Sequence, residues 1–246
     1  MSYQSQYQQK RMAAADAIRV VRNGDTIIVP TAVGEPPTLL TALSEQRRDF
    51  RDVRVSQILA VRKYGYLDPE TVDHVRHEAY FFSGASRAGG QEGWIDYIPA
   101  YFSELPVLIE RGLIPSDGGF TMASPMDEHG FFSLALAADY TMAAIEKARA
   151  IVLEVNPHVP FANGDCHIHI SQVTALVESE EPVLEVGLPK IGPVQEAIGK
   201  HVADMIPDGA TLQIGYGGIP DAVVMQLTDK RDLGVHTEMV GDGIMT

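Results

Sequence analysis

The chain has 246 residues, 45% hydrophobic and 21% charged, enough apolar mass for one large domain, or one domain and part of another. Its formal net charge of -14 argues against nucleic acid or an anionic membrane as main partner, because a polyanion is repelled, yet leaves room for an anionic small molecule in a locally positive pocket. A single cysteine, Cys166, excludes an internal disulfide; the N-terminus lacks the apolar core of a signal peptide, and no run approaches the roughly 20 apolar residues that span a bilayer, so a soluble, cytoplasmic protein is expected.

Met12, Ala15, Ile18 and Val21 fall at helical spacing and predict a helix over 12–21, stopped by Asn23-Gly24-Asp25. A buried strand is predicted over 26–30, then a Gly/Pro-rich loop over 31–37, a helix over 38–46 and an alternating strand over 53–59. Residues 79–83 read as a strand running into a flexible glycine-rich loop over 84–90, in which Ser86 and Arg87 are candidates to line a cleft. A helix is predicted over 97–103. Two apolar runs, 120–123 and 131–134, flank turn residues and predict a hairpin. A helix over 140–148 and a strand over 151–155 follow. Alternating strands and helices with short links predict an α/β fold: an open, mostly parallel sheet flanked by helices.

An internal repeat sets the domain organisation. The segment from Val20, VVRNGDTIIVPTAVGEPPTLLTAL, resembles the segment from Asp204, DMIPDGATLQIGYGGIPDAVVMQL. Gly24 matches Gly209, Thr26 matches Thr211, and Ile27 matches Leu212. With one residue inserted in the first copy, Gly34 matches Gly218, Pro36 matches Pro220 and Leu43 matches Leu227. Residues 53–55 then correspond to 233–235. Each copy reads helix, turn, strand, glycine loop, helix, strand. The expectation is an N-terminal domain over 1–180, a polar Pro/Gly linker over 181–192 and the beginning of a second, related α/β domain over 193–246, too few elements to close a core of its own.

Two segments of the second copy carry candidate chemistry. The first, Gly215-Tyr216-Gly217-Gly218-Ile219-Pro220-Asp221, lies between a predicted strand and a helix. Its glycines let a ligand approach the backbone, and a helix N-terminus offers free N–H groups to an anion; a strand-to-helix turn needs glycine in any case. The second, Gly234-Val235-His236-Thr237-Glu238-Met239-Val240-Gly241-Asp242-Gly243, places Glu238 at a predicted strand end, where ligands bind in open α/β sheets. A carboxylate there can act as a covalent nucleophile. On residue type alone, such a glutamate is more often a solvated or capping residue.

Together, GYGGIPDAVVMQL and DLGVHTEMVGDG resemble the paired signature of the acetyl-CoA hydrolase / 4-hydroxybutyrate CoA-transferase family, and SPMDEHGFFSL and EVNPHVPFANGDCHIHIS resemble its N-terminal domain. That resemblance implies a CoA-transferase-like fold, acyl-CoA and small-carboxylate substrates, a ping-pong reaction and a homodimer. It implies Glu238 as the nucleophile and Gly215, Tyr216, Gly217, Gly218 and Ile219 as contacts to coenzyme A, which is both substrate and covalent intermediate, with no tightly bound cofactor and no metal. Val33 and Gly34, with Ser86 and Arg87, are candidates for a cleft or oxyanion loop. Acyl-CoA hydrolysis through the same glutamate, and a non-catalytic ligand-sensing domain of this fold type, remain alternatives. Asp165-Cys166-His167-Ile168-His169 has alternating histidines but too few converging ligands for zinc, and reads as structural. Asp127-Glu128-His129 reads as turn-forming, and Trp94, Tyr97 and Tyr101 as packing.

Overall fold

Thr26, Ile27 and Ile28 are all buried, and the strand they form is the middle of a seven-stranded sheet. The structure is a computed structural model describing residues 2–185, 187 and 190–245. Part of the expected linker (Val186, Leu188 and Pro189) lies outside the described residues. The described chain divides into two units, Met1–Leu184 and Glu185–Thr246.

In chain order the strands of the first unit are β1 (Thr26–Ile28), β2 (Val53–Gln57), β3 (Val75–Ala79), β4 (Asp96–Tyr97), β5 (Gly118–Ala123), β6 (Phe131–Ser133), β7 (Ala150–Val155), β8 (His167–His169) and β9 (Ala175–Glu178). Its helices are α1 (Tyr3–Lys10), α2 (Ala14–Ala17), α3 (Pro37–Glu45), α4 (Arg87–Glu92), α5 (Leu105–Glu110) and α6 (Thr141–Lys147). The main sheet runs β4-β3-β2-β1-β5-β7-β9, parallel throughout, and the flanking helices make the fold α/β. A parallel sheet is covered on both faces, which is why every residue of β5 and β7 is buried. From α3, Leu39, Leu40 and Leu43 are fully buried, each contributing about 1.5–3 kcal/mol.

Several expectations need correction. The predicted hairpin does not form. β5 pairs with β1 and β7, so both its edges are taken, while β6 pairs antiparallel with β8. The strand expected over 79–83 ends where it was expected to begin. Its observed run, Val75–Ala79, carries Arg76 and Glu78, which pair with Asp96 and Arg54 and so mask the apolar signal. The glycine-rich segment after it is partly helical: added Cβ atoms on Gly89 and Gly90 would come within 2.4 Å of Ile95 and 2.3 Å of Phe82, so their smallness serves packing rather than flexibility. The helix expected over 97–103 is replaced by β4, a short 3-10 turn (Phe102–Glu104) and α5. The expected first helix is α2 with a 3-10 turn, and α1 precedes it.

The second unit contains α7 (Pro193–Ala203), β10 (Thr211–Leu212), α8 (Gly218–Val224) and β11 (Gly234–Val235). A Cβ on Gly199 would lie 2.5 Å from the Ala222 carbonyl oxygen, so a residue without one lets α7 and α8 approach closely. β10 and β11 pair parallel, Thr211 with Gly234 and Leu212 with Val235; in the first unit Thr26 pairs with Arg54 and Ile27 with Val55. Those pairs occupy matching positions of the sequence repeat. The turn before each pair matches as well. Gly24 N–H donates to Arg51 O at 3.0 Å, and Gly209 N–H to Arg231 O at 2.9 Å. Asn23 and Asp208 side chains accept from Arg51 N–H and Arg231 N–H. Asp52 and Asp232 share a positive φ, 51° and 56°. Among the described residues, no helix is long and apolar enough to cross a membrane.

Candidate active site

Glu238 is exposed, just past the carboxyl end of β11. His236 N–H donates to Leu212 O at 2.9 Å, continuing the β10–β11 ladder. The Thr237 hydroxyl then takes over: it accepts from Ile214 N–H at 3.0 Å and donates to Ile214 O at 2.7 Å. Ile214 immediately precedes the glycine loop, so the residue before Glu238 is fastened to the residue before Gly215. Within the loop, Gly217 has φ 135°, a conformation essentially reserved to glycine, and its chain turns directly into α8. Tyr216 (63% exposed) and Ile219 (46%) face outward from it.

A groove of about 580 Å³ is lined by Thr211, Leu212, Gln213, His236, Thr237 and Glu238. Gln213 and His236 were not among the site residues drawn from the sequence. The signal was present in the parallel register, which sets Gln213 beside His236 one step beyond the pair Leu212–Val235.

In the first unit, the loop after β1 is held by three carboxylates, two buried (Glu35 and Glu154) and one half-buried (Asp139). Asp139 Oδ2 accepts from Thr31 N–H at 3.0 Å, while its Oδ1 accepts from Thr141 N–H and hydroxyl. Glu35 accepts from Gln57 Nε2 at 3.0 Å, Val61 N–H at 2.8 Å and Tyr64 OH at 3.2 Å. Glu154, at 0% exposure, accepts from Thr38 N–H at 2.8 Å, Leu39 N–H at 3.0 Å and Thr38 Oγ1 at 2.8 Å, capping α3 from a different strand. Burial raises all three carboxyls above their ordinary values, with hydrogen bonds partly offsetting the desolvation. Sequence reasoning missed all three, because each acts on residues distant in the chain.

The other candidate residues sit as follows. Gly34 is buried, and its N–H donates to Thr31 O at 3.2 Å; Val33 beside it is partly exposed. Ser86 is fully buried, its Oγ accepting from Ser83 N–H at 3.0 Å. Arg87 is exposed at the start of α4, and its guanidinium has no partner among the described residues. These four residues belong to the first unit and Glu238 to the second.

His167 Nε2 bonds Ala162 O at 2.8 Å and His169 Nδ1 bonds Ser171 Oγ at 2.7 Å, with Phe131 against both rings. Asp127 Oδ1 accepts from His129 N–H and Phe131 N–H, as a turn residue does. Trp94 donates to Leu67 O and packs against the core.

An open parallel sheet flanked by helices is the fold this chain shares with a solved CoA-transferase. The chain belongs to the acetyl-CoA hydrolase/transferase family: the model of that family's N-terminal domain matches residues 1–186. It is 41% identical to the succinyl-CoA:cyclohexane-1-carboxylate CoA transferase of Geobacter metallireducens, covering 99% of this chain and 55% of the relative. It is 37% identical to the 4-hydroxybutyrate coenzyme A transferase of Clostridium kluyveri, covering 100% and 57%. Among solved structures, RipA from Yersinia pestis superposes with a TM-score of 0.93 at 32% identity, covering 100% of this chain and 59% of that one. The 4-hydroxybutyrate CoA-transferase of Porphyromonas gingivalis superposes with a TM-score of 0.87 at 34% identity, covering 99% and 58%. The chain thus spans little more than half the length of these relatives.

Proposed function

We propose that this protein moves coenzyme A between an acyl-CoA and a small carboxylic acid, with Glu238 as the residue that becomes loaded. The observation that carries this reading is the exposed Glu238 carboxylate on a groove, fastened one strand over from a glycine loop. The names of the relatives, all CoA transferases in the two cases above, support the reaction class.

The Glu238 carboxylate attacks the thioester carbonyl of the acyl-CoA; the carbon–sulfur bond breaks and CoA leaves as a thiolate, giving a mixed anhydride. The thiolate then attacks the glutamyl carbonyl, releasing the acyl group as a carboxylate and leaving a glutamyl-CoA thioester. A second carboxylate enters and the two steps reverse. Each addition creates an oxyanion, for which backbone N–H groups of loop 215–218 are the donors in reach of the glycine-lined turn. Gly215, Tyr216, Gly217, Gly218 and Ile219 contact CoA in this reading, and its distal part supplies binding energy that the reacting centre spends. Val33, Gly34, Ser86 and Arg87 are the candidates for a cleft or oxyanion loop on the first unit. Residues 1–180 form the N-terminal CoA-transferase domain and 193–246 the opening elements of the second, in a cytoplasmic homodimer that sedimentation velocity checks.

The exposure of Glu238 favours a second reading, hydrolysis, in which water takes the place of the acceptor carboxylate at the same intermediate. Incubating the intact protein with acetyl-CoA without acceptor, then measuring peptide masses, tests the common step. A CoA-sized adduct on the peptide bearing Glu238, lost in Glu238→Ala together with turnover, is expected; no adduct and full activity in Glu238→Ala would overturn it. A steady release of free CoA without acceptor selects hydrolysis.

A further inference from the structure

We infer that Thr237 is a positioning residue: its hydroxyl clamps the strand end that carries Glu238 to the strand end that opens the glycine loop. This rests on the reading of Glu238 as the loaded residue and extends it to the group that sets its place.

Backbone pairing between β10 and β11 covers only two residue pairs. So short a ladder fixes a strand end poorly, and a one-residue slip would turn Glu238 to the opposite face. The Thr237 side chain extends it. One oxygen accepts from Ile214 N–H at 3.0 Å and donates its proton to Ile214 O at 2.7 Å, so both polar groups of a single peptide position are satisfied by one hydroxyl. Threonine suits the task because its β-branch restricts χ1, so the hydroxyl is held in place rather than sampled. The bonded residues adjoin the two functional segments: Glu238 follows Thr237, and Gly215 follows Ile214.

The chain beyond Glu238 passes close to α8. Asp221, 8% exposed in α8, presents Oδ1 to the turn over 241–243. A Cβ built on Gly241 or Gly243 would lie 3.8 or 3.6 Å from that oxygen. The turn after Glu238 thus passes near a buried carboxylate, while the fastening itself is the work of the Thr237 hydroxyl.

The first repeat supports a positional role. There the residue matching Thr237 is Gln57, and its Nε2 donates to Pro30 O at 2.8 Å, again tying one strand end to the exit of its neighbour. The residue it delivers is Ile58, with no chemistry to perform. The device belongs to the strand pair; only in the second repeat does it carry a carboxylate.

The test uses the intact protein and follows the rate at which acetyl-CoA loads Glu238, counted per folded molecule. Thr237→Val keeps the shape and removes both bonds; loading is expected to slow roughly 30- to 100-fold, the range that an ångström of misplacement costs a reacting group. The acetyl-CoA concentration at half-maximal rate should move less than the loading rate, since no residue read as touching CoA is changed. Thr237→Ser keeps both bonds and should restore loading to within a few-fold of the parent. Should Thr237→Val fail to fold, Thr237→Cys, with its weaker donor and acceptor, carries the test with a smaller slowing. Parent-like loading by the valine or cysteine variant, or a serine variant as slow as the valine one, overturns the inference, as does a loss confined to the half-maximal concentration. Glu238→Ala runs alongside: if it still loads, the functional reading itself fails, whereas normal loading in Thr237→Val with none in Glu238→Ala sinks only the clamp.

Discussion

Two segments of this chain, 20–55 and 204–235, follow one plan and are finished differently. Both place a positive-φ glycine before a strand, pair that strand parallel with the same register, and send it through a loop into a helix. In the first, the helix end is closed from within. Glu154 takes Thr38 N–H and Leu39 N–H, Asp139 takes Thr31 N–H, and Gly34 N–H turns back to Thr31 O. In the second, α8 follows Gly217 with no side-chain cap among the described residues, and Tyr216 and Ile219 stand in solvent. The positions that hold Gln213 and Glu238 on the groove in the second copy are Ile28 and Ile58 in the first. A strand–loop–helix junction is a receptor for a carboxylate. Filled by the chain's own acids it becomes a structural joint; left unfilled it stays free for chemistry.

Breaking the filled copy has the largest expected effect. Glu154→Ala removes the acceptor for two N-terminal amides of α3 and opens a cavity under a helix whose leucines are core. A cost of about 3 kcal/mol is expected, the range for orphaning buried donors. It is read as a lowered urea midpoint for the first unit. Formate at tens of millimolar should recover part of it where chloride does not, because the vacated joint keeps its donors. An unchanged midpoint would mean that the capping bonds contribute nothing net.

The open copy should respond in the opposite way. Gly217→Ala forces a side chain onto φ 135°, at about 2 kcal/mol of local strain. Since a Cβ there meets nothing within 4 Å, the strain is conformational, and relief comes by moving the loop. Glu238 loading should fall while the urea midpoint of the first unit stays put. A fall in that midpoint, with loading intact, would reverse the assignment of the two copies to structure and to chemistry.

The repeat itself was legible because its signals are local: the Asn23-Gly24 and Asp208-Gly209 turns, and the glycines before each helix. The chemistry of the second copy was legible for the same reason, since Glu238 and loop 215–219 lie in two unbroken stretches. What closes the first copy was not. Glu154 reaches Thr38 across 116 positions and Asp139 reaches Thr31 across 108, and no spacing rule spans such separations. The hairpin was misread because turn 124–130 is a true turn, with Asp127 accepting from two amides, while the pairing of β5 was settled by β1 and β7. α1 escaped detection because YQSQYQQK buries only Tyr7; its one local mark is Ser2, whose Oγ accepts from Ser5 N–H. His77 and Tyr66, buried in the first unit's core, carry no local mark at all.

The smallest expected effect is also the most diagnostic of how the first copy is closed. Burial raises the Glu154 carboxyl above its ordinary value even though its hydrogen-bond donors and the positive end of α3 favour its charged form. For an acid raised in the folded state, the sign of the linkage is fixed. Its contribution to stability is complete below the unfolded value, about 4.3 for glutamate, and is lost as pH rises through the higher folded value. Glu154→Gln cannot titrate, so the stability advantage of the parent over this variant should be largest near pH 4.5 and shrink toward pH 8. Each tenfold weakening of the acid by folding corresponds to about 1.4 kcal/mol of that change. Urea midpoints of both proteins across that interval measure it. A gap that widens with pH would mean that the helix amides win over desolvation, so that folding favours the charged carboxylate.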